Sequence, residues 1–189
     1  MLRALKSAQK SLRHGYLADI LAPYVDGCDT VLDVGASWGR LAQRLSRSSG
    51  GLDVVGVDVA VESQAHIPLL GADGRELPFA SNTFDCVMMI DVLHHDDNPR
   101  QLLKEAKRVS TGQVVVKDHY WENEWDLILL RCADYIGNRL YGVELPYVFL
   151  NLDSWRSLIG SEGLRIVSSS KFRFTVLDPC KHVVFDLRG

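Results

Sequence analysis

The sequence predicts an α/β protein in which a mostly parallel sheet carries helices on both faces and ends in an antiparallel hairpin. Three observations lead there. As far as residue 117, short apolar runs alternate with helix-patterned segments, the order in which parallel strands alternate with crossover helices. The stretch TVLDVGASWGRLAQRL, residues 30 to 45, passes from an apolar strand through a small-residue turn into a helix. After residue 163 the pattern changes: LRIVSSSKFRFTVL and KHVVFDLRG are both strand-like and are separated by the turn residues of LDPCK, with no helix between them.

The elements follow in order. MLRALKSAQKSLRHGYLADIL is read as an amphipathic helix of the fold, at about residues 3–24, because its basic residues and leucines include no unbroken apolar run of signal-peptide or membrane-spanning length. Strands are expected at Thr30 to Val34, Asp53 to Asp58, Phe84 to Ile90 and Gln113 to Lys117, and helices at Gly39 to Ser48 and Pro99 to Val109. Between residues 60 and 80 the sequence suggests a short helix and a short strand near Leu69 to Gly71. Gly50-Gly51 reads as a helix-to-strand connection, and no repeat or Pro/Ser-rich linker divides the chain. Residues 1–189 are therefore read as one domain, and the 47% hydrophobic content is enough to bury a core of that size.

Composition excludes some classes of function. The net charge of −3 lacks the basic bias of a generic phosphate-backbone binder, which argues against nucleic acid as the partner. Cys28, Cys86, Cys132 and Cys180 are dispersed and form no CxxC pair, so neither a zinc site nor a disulfide framework is suggested. Reduced thiols in a cytoplasmic protein are the expectation.

In DVGASWG, Gly35 and Gly39 can let the backbone bend sharply and bring its N–H groups close to a ligand; glycines in such a turn also serve plain strand-to-helix packing. Asp58 ends the next strand, where its carboxylate could accept two hydrogen bonds from a ribose diol. A dinucleotide site would read GxGxxG with a diphosphate on the helix N-terminus. Here Trp38 precedes the final glycine, and an indole fits that position poorly. The third signal is GADGRELPFASNTFDCVMMIDVLHH, where Asp73 follows a short strand and FDCVMMI forms the next one.

With these segments the chain, from about Thr30 to Lys117, resembles class I S-adenosylmethionine-dependent methyltransferases, in the small-molecule branch of ubiquinone and menaquinone C-methyltransferase-like enzymes (methyltransferase type 11). The resemblance implies a Rossmann-like three-layer sandwich with a seven-stranded sheet, and S-adenosyl-L-methionine as cofactor. It implies that Asp33, Gly35, Ala36, Ser37 and Gly39 form the cofactor turn, that Asp58 holds the ribose with Val59 beside it, and that Asp73 with the Gly74 backbone meets the adenine edge. Ile90 and Asp91 would lie behind the methionyl portion. The family's middle glycine is Ser37 in this sequence.

The resemblance also implies an acceptor pocket between the N-terminal helix and an insertion at about 118–155. That insertion is rich in aromatics: Trp121, Tyr135, Tyr141, Tyr147, Phe149 and Trp155 suit an aromatic, isoprenoid or lipid-like small-molecule acceptor. Trp125, Ile128, Leu129, Cys132 and Ile136 recur at helical spacing, a stripe expected to face the core more than a pocket. Asp118 and His119, at the end of the fifth strand, are the candidate general bases. His94 and His95 are expected to be solvent-facing or loop-capping, and Asp96 and Asp97 to be turn chemistry with no metal. Arg13, His14 and Tyr16, or Arg40, would stand near the methionyl carboxylate. Because the N-terminal lid is short, a second copy or a partner protein could close the pocket. Two other readings stay open: a cofactor-binding but non-catalytic partner subunit, and a nucleotide- or dinucleotide-binding oxidoreductase domain.

Overall fold

The computed structural model describes residues 2–61, 63–138, 148–175 and 178–189, and the side chains of these except residues 2–11, 134 and 136–138. Helix α1 (Leu2–Val25) leads into β1 (Thr30–Val34), α2 (Arg40–Ser48), β2 (Asp53–Asp58), β3 (Leu69–Gly71) and β4 (Phe84–Ile90). A 3-10 turn at Leu93–His95 precedes α3 (Pro99–Val109), β5 (Ser110–Tyr120), α4 (Glu124–Asn138), α5 (Leu152–Ser161), β6 (Arg165–Phe172) and β7 (Lys181–Arg188). The sheet has the order β3-β2-β1-β4-β5-β7-β6. β1 to β5 run parallel, and β7 lies antiparallel between β5 and β6. Strand order reverses direction between β1 and β4, and the crevice beyond the strand ends at such a switch point is where open α/β sheets take ligands.

Side-chain alternation along the strands gives the sheet two cores. Leu32, Val34, Val87, Met89, Val114 and Val116 pack with α3 and α5 on one face. Val31, Cys86, Met88, Val115 and Val184 pack with α1 and α2 on the other. The second face is closed by Leu21 and Val25 of α1 and by Ala42 and Leu45 of α2, all fully buried or nearly so; each buried leucine or valine contributes roughly 1.5–3 kcal/mol. The same alternation separates neighbours on β5. Lys117 and His119 share the α1/α2 face with Val115, whereas Asp118 shares the α3/α5 face with Val116.

Several expectations are corrected. No helix occurs among the described residues between β2 and β3, where Pro68, a run of polar residues and exposed valines leave no amphipathic face to bury. The strand expected at Gln113 to Lys117 continues to Tyr120, because β7 pairs with it as far as Lys181. On α4 the stripe of Trp125, Ile128, Leu129 and Cys132 is exposed, and the helix instead buries Asp126 and Leu130. Asp126 turns inward because it accepts from Lys181 of β7 at 2.7 Å and from the Glu122 amide. Trp155 belongs to the core, 1% exposed, with its indole N–H donating to the His119 carbonyl. The Ile136 side chain, Tyr141 and Tyr147 lie outside the described residues. No described helix is long and apolar enough to cross a membrane.

Candidate functional site

The glycine turn connects β1 to α2 through three left-handed residues: Gly35 (φ 75°), Ser37 (φ 52°) and Gly39 (φ 67°). A Cβ at Gly35 would run into the Val92 side chain and one at Gly39 into Ile67, so packing already demands both glycines. The turn amides are also committed within the protein. Gly35 and Ala36 donate to the Val57 carbonyl at 2.8 and 3.1 Å, and Gly39 donates to Ala36. The turn thus supplies shape more than free donors, which corrects the expectation of amides presented to a ligand. Ser37 holds a left-handed conformation that glycine adopts freely, at the cost of the strain it brings to any side chain.

Around the turn, carboxylates stand at three adjacent strand ends. Asp58 accepts from the Ser37 amide at 2.7 Å and from the Ala60 amide at 3.0 Å. Each oxygen keeps a lone pair, so a ribose diol would meet a carboxylate already held in place. Val59 is 79% exposed beside it. Asp73 caps its own turn by accepting from the Arg75 amide at 2.9 Å, and Gly74 is buried against Val34. Asp33 is buried in the floor; burial, with Asp58 as a second cause, pushes its carboxyl up to about 7. Ile90 ends β4 and Asp91 follows it, itself left-handed (φ 58°). A cleft of about 890 Å³ runs from Asp33, Ile90 and Asp91 over the turn and between α1 and α2.

Asp33 makes a pH-dependent prediction. Its folded value lies above the usual carboxylate value of about 3.9, so the folded state keeps a proton that the unfolded chain releases, and stability falls as pH rises from about 4 to 7. Asp33→Asn imitates the protonated form. It is expected to match the wild type near pH 4 and to exceed it by about 2–4 kcal/mol near pH 8 in urea unfolding. An equal offset at both pH values would show that the carboxyl titrates normally.

Beyond Asp91 the site becomes polar and aromatic. The fully buried Lys117 ammonium sits 2.5 Å from Asp91 Oδ1, and Arg13 of α1 lies 3.5 Å from Oδ2. Burial would raise the Asp91 carboxyl, but Lys117, His119 and Arg13 together hold it far below its ordinary value. His119 Nδ1 is buried without a hydrogen-bond partner, 3.5 Å from one oxygen each of Asp91 and Asp118. His182 pairs directly across the strands with His119, their rings 4.6 Å apart. It is held neutral, pushed down to about 3 by burial and then by Lys117 and His119. Rings continue outward from it: Phe172 stacks on His182, Phe174 meets it edge-on, and Tyr16 of α1 touches both phenylalanines.

The ligand atoms of Asp91, His119 and His182 lie within 4.8 Å of one another. The Lys117 ammonium, however, already occupies the Asp91 oxygen nearest His119, and its charge opposes a cation there. Asp96 and Asp97 are both taken by the Arg75 guanidinium.

Asp118 has a different place from the one expected. It is buried on the opposite face and accepts from His94 Nδ1 at 2.6 Å, the His119 amide at 2.7 Å and the His94 amide at 3.3 Å. Although burial would raise it, His94 and His119 hold its carboxyl well below the ordinary range. A carboxylate so occupied does not take a proton from a substrate; it fixes the loop after β4 to β5. His94, expected to face solvent or cap its loop, does not face solvent: it is buried against Asp118 and stacks on Phe149. Sequence reasoning missed Lys117, Phe172, Phe174 and His182. The available signal was a lysine inside an apolar strand, which needs a buried partner.

Residues 32–116 match the family model of a methyltransferase domain. The chain is 30% identical over 135 residues to a demethylmenaquinone methyltransferase of Renibacterium salmoninarum, covering 64% of this chain and 56% of that protein; it spans about half the length of the curated relatives it matches. Among solved structures, a 1,6-didemethyltoxoflavin-N1-methyltransferase of Burkholderia thailandensis, with bound 1,6-didemethyltoxoflavin and S-adenosylhomocysteine, superposes with a TM-score of 0.72 at 15% identity, covering 98% of this chain and 81% of that one. The [4+2]-cyclase SpnF superposes with a TM-score of 0.70 at 15% identity, covering 92% and 79%. By sheet order and superposition the chain has the Rossmann-like fold of these methyltransferases, and residues 32–116 carry the similarity to a methyltransferase domain.

Proposed function

We propose that this chain transfers a methyl group from S-adenosyl-L-methionine to a small, ring-bearing acceptor. The observation that carries the reading is the placement of Asp33, Asp58 and Asp91 at adjacent strand ends around one turn, Asp33 and Asp91 lining its cleft and Asp58 bonded to the Ser37 amide of the turn, with His119 beside Asp91. The residues suit the cofactor: Asp58 matches a ribose diol, Asp73 and Gly74 an adenine edge, and Asp33 and Asp91 the positive end of a sulfonium amino acid. Arg13 is available to its carboxylate. When bound, the cofactor supplies an electrophilic methyl group on a sulfonium.

This chain's own residues would then position the acceptor, exclude water and hold a proton. Tyr16, Phe172, Phe174 and His182 form an apolar wall that seats a flat molecule against Asp91. His119 is the candidate base; Asp91 and Asp118 stand close enough to stabilise the imidazolium that forms on proton uptake. Asp118 acts only through His94 and the His119 backbone, as a positioning residue.

Titration calorimetry with S-adenosylmethionine, S-adenosylhomocysteine and NAD tests the cofactor assignment. The first two are expected to bind and NAD to be silent, whereas preference for NAD would replace this reading with the oxidoreductase one. Asp58→Ala is expected to weaken S-adenosylhomocysteine tenfold or more, through loss of one or two charge-assisted hydrogen bonds of roughly 1.5–3 kcal/mol each. Unchanged affinity in a folded variant would place the ribose elsewhere.

A further inference from the structure

The cleft extends past the methyl-donor end along the groove between α1 and α2, and its far wall is cationic. Arg40, Arg44 and Arg47 of α2 line it, with Arg13 of α1 opposite. At helical spacing the three α2 residues fall on neighbouring turns, about 10 Å from first to last along the axis. Gly15 carries no side chain, and the Arg44 guanidinium comes down against α1 there.

Charge in the groove does not balance. Among the described residues its carboxylates are Asp33, which burial pushes up to about 7, and Asp91, which Lys117 already matches. Neither Arg40 nor Arg47 has a carboxylate partner among the described residues. α2 itself, RLAQRLSRS, contains no acid. This arrangement weakens the helix, because Arg40 sits in the first turn, where the macrodipole favours anions. An oxyanion there would relieve that cost, and a concave cationic wall focuses the field on such a ligand.

We propose that the groove binds a phosphate or diphosphate ester carried by the acceptor, with Arg40, Arg44 and Arg47 as its ligands and the acceptor's ring reaching the wall beside Asp91. Guanidinium forks match phosphate oxygens two at a time, and the length of the arginine row suits a diphosphate better than a single carboxylate. A mildly acidic chain argues for a small phosphorylated molecule over a nucleic acid. The inference deepens the methyl-transfer reading and rests on it for the ring's position.

Calorimetry on the full chain tests it with inorganic pyrophosphate as the probe, with and without S-adenosylhomocysteine. Pyrophosphate is expected to bind at millimolar concentration or below. Arg44→Gln and Arg47→Gln should each weaken it about tenfold, leave S-adenosylhomocysteine affinity within about twofold, and leave the circular dichroism spectrum unchanged. Arg156→Gln, on the exposed side of α5, should change nothing. Absence of binding while S-adenosylhomocysteine still binds, or binding indifferent to both arginine substitutions, overturns the phosphate site alone. Far tighter binding of a short single-stranded RNA through the same arginines overturns the small-molecule assignment. If S-adenosylhomocysteine fails to bind but the arginine-dependent pyrophosphate site persists, the methyl-transfer reading falls and the phosphate site stands.

Discussion

Asp118→Asn is expected to destabilise the protein by about 3–5 kcal/mol, the usual cost of removing one partner from a buried charged pair. Asp118 is inaccessible, and three donors converge on it: His94 Nδ1 and the amides of His94 and His119. An asparagine keeps one acceptor but turns an N–H₂ group toward donors, so at least one buried donor loses its partner. Urea unfolding should show the loss as a lower midpoint with an unchanged slope. The acid limb supplies a second readout. Because the folded carboxyl lies below its unfolded value, its contribution is present above about pH 4 and is lost as pH falls through the folded value. The variant should therefore lose part of the wild-type acid sensitivity. A variant as stable as the wild type, yet slowed in turnover, would return Asp118 to the role of base.

Asp118 also shows where sequence reading stops. The strands at residues 30–34, 53–58 and 84–90 and the helix at 99–109 are legible because each is a continuous apolar run or a helical period closed by turn residues. The hairpin is legible because no helix pattern separates its strands. Asp33, Asp58 and Asp91 are legible as strand-end acids, since a parallel sheet gathers its carboxyl ends on one ridge. The facing of β5 could also have been read: with a period of two, residues 118 and 119 cannot both point at one site. Which of them faces the cleft depends on register against β4 and β7, and that information lies some 60 residues away in Lys181 and His182. The aromatic wall was hidden for the same reason. Phe172 and Phe174 look like ordinary hairpin residues until the antiparallel pairing sets Phe172 opposite His182 and beside Tyr16. The exposed stripe on α4 is the converse case, because helical period shows that a face exists but not what covers it.

The turn between β1 and α2 teaches a related point about glycine. Its two glycines fit a cofactor motif, yet Val92 and Ile67 demand them independently of any ligand. The case for a nucleoside site therefore rests less on the glycines than on Asp58, whose carboxylate is held by two amides at the rim of the cleft. Position, not motif, distinguishes the two readings.

His119→Gln is expected to lower turnover by roughly 10²–10⁴, the usual contribution of a general base, while cofactor affinity stays near the wild-type value. The backbone at His119 is fixed from both sides, its amide donating to Asp118 and its carbonyl accepting from the Trp155 indole. Replacing the ring should therefore leave the strand in place. The imidazole at this point has two carboxylate oxygens 3.5 Å from Nδ1, so a proton taken up by the ring is compensated by both. The measurement needs an acceptor, obtained by screening a metabolite extract for transfer of label from methyl-labelled S-adenosylmethionine. With it, the wild type and the variant should differ in turnover by that factor at saturating S-adenosylmethionine. A variant that keeps most of its rate would remove His119 as the base, and would leave the aromatic wall and the held carboxylates to accelerate the reaction by positioning alone.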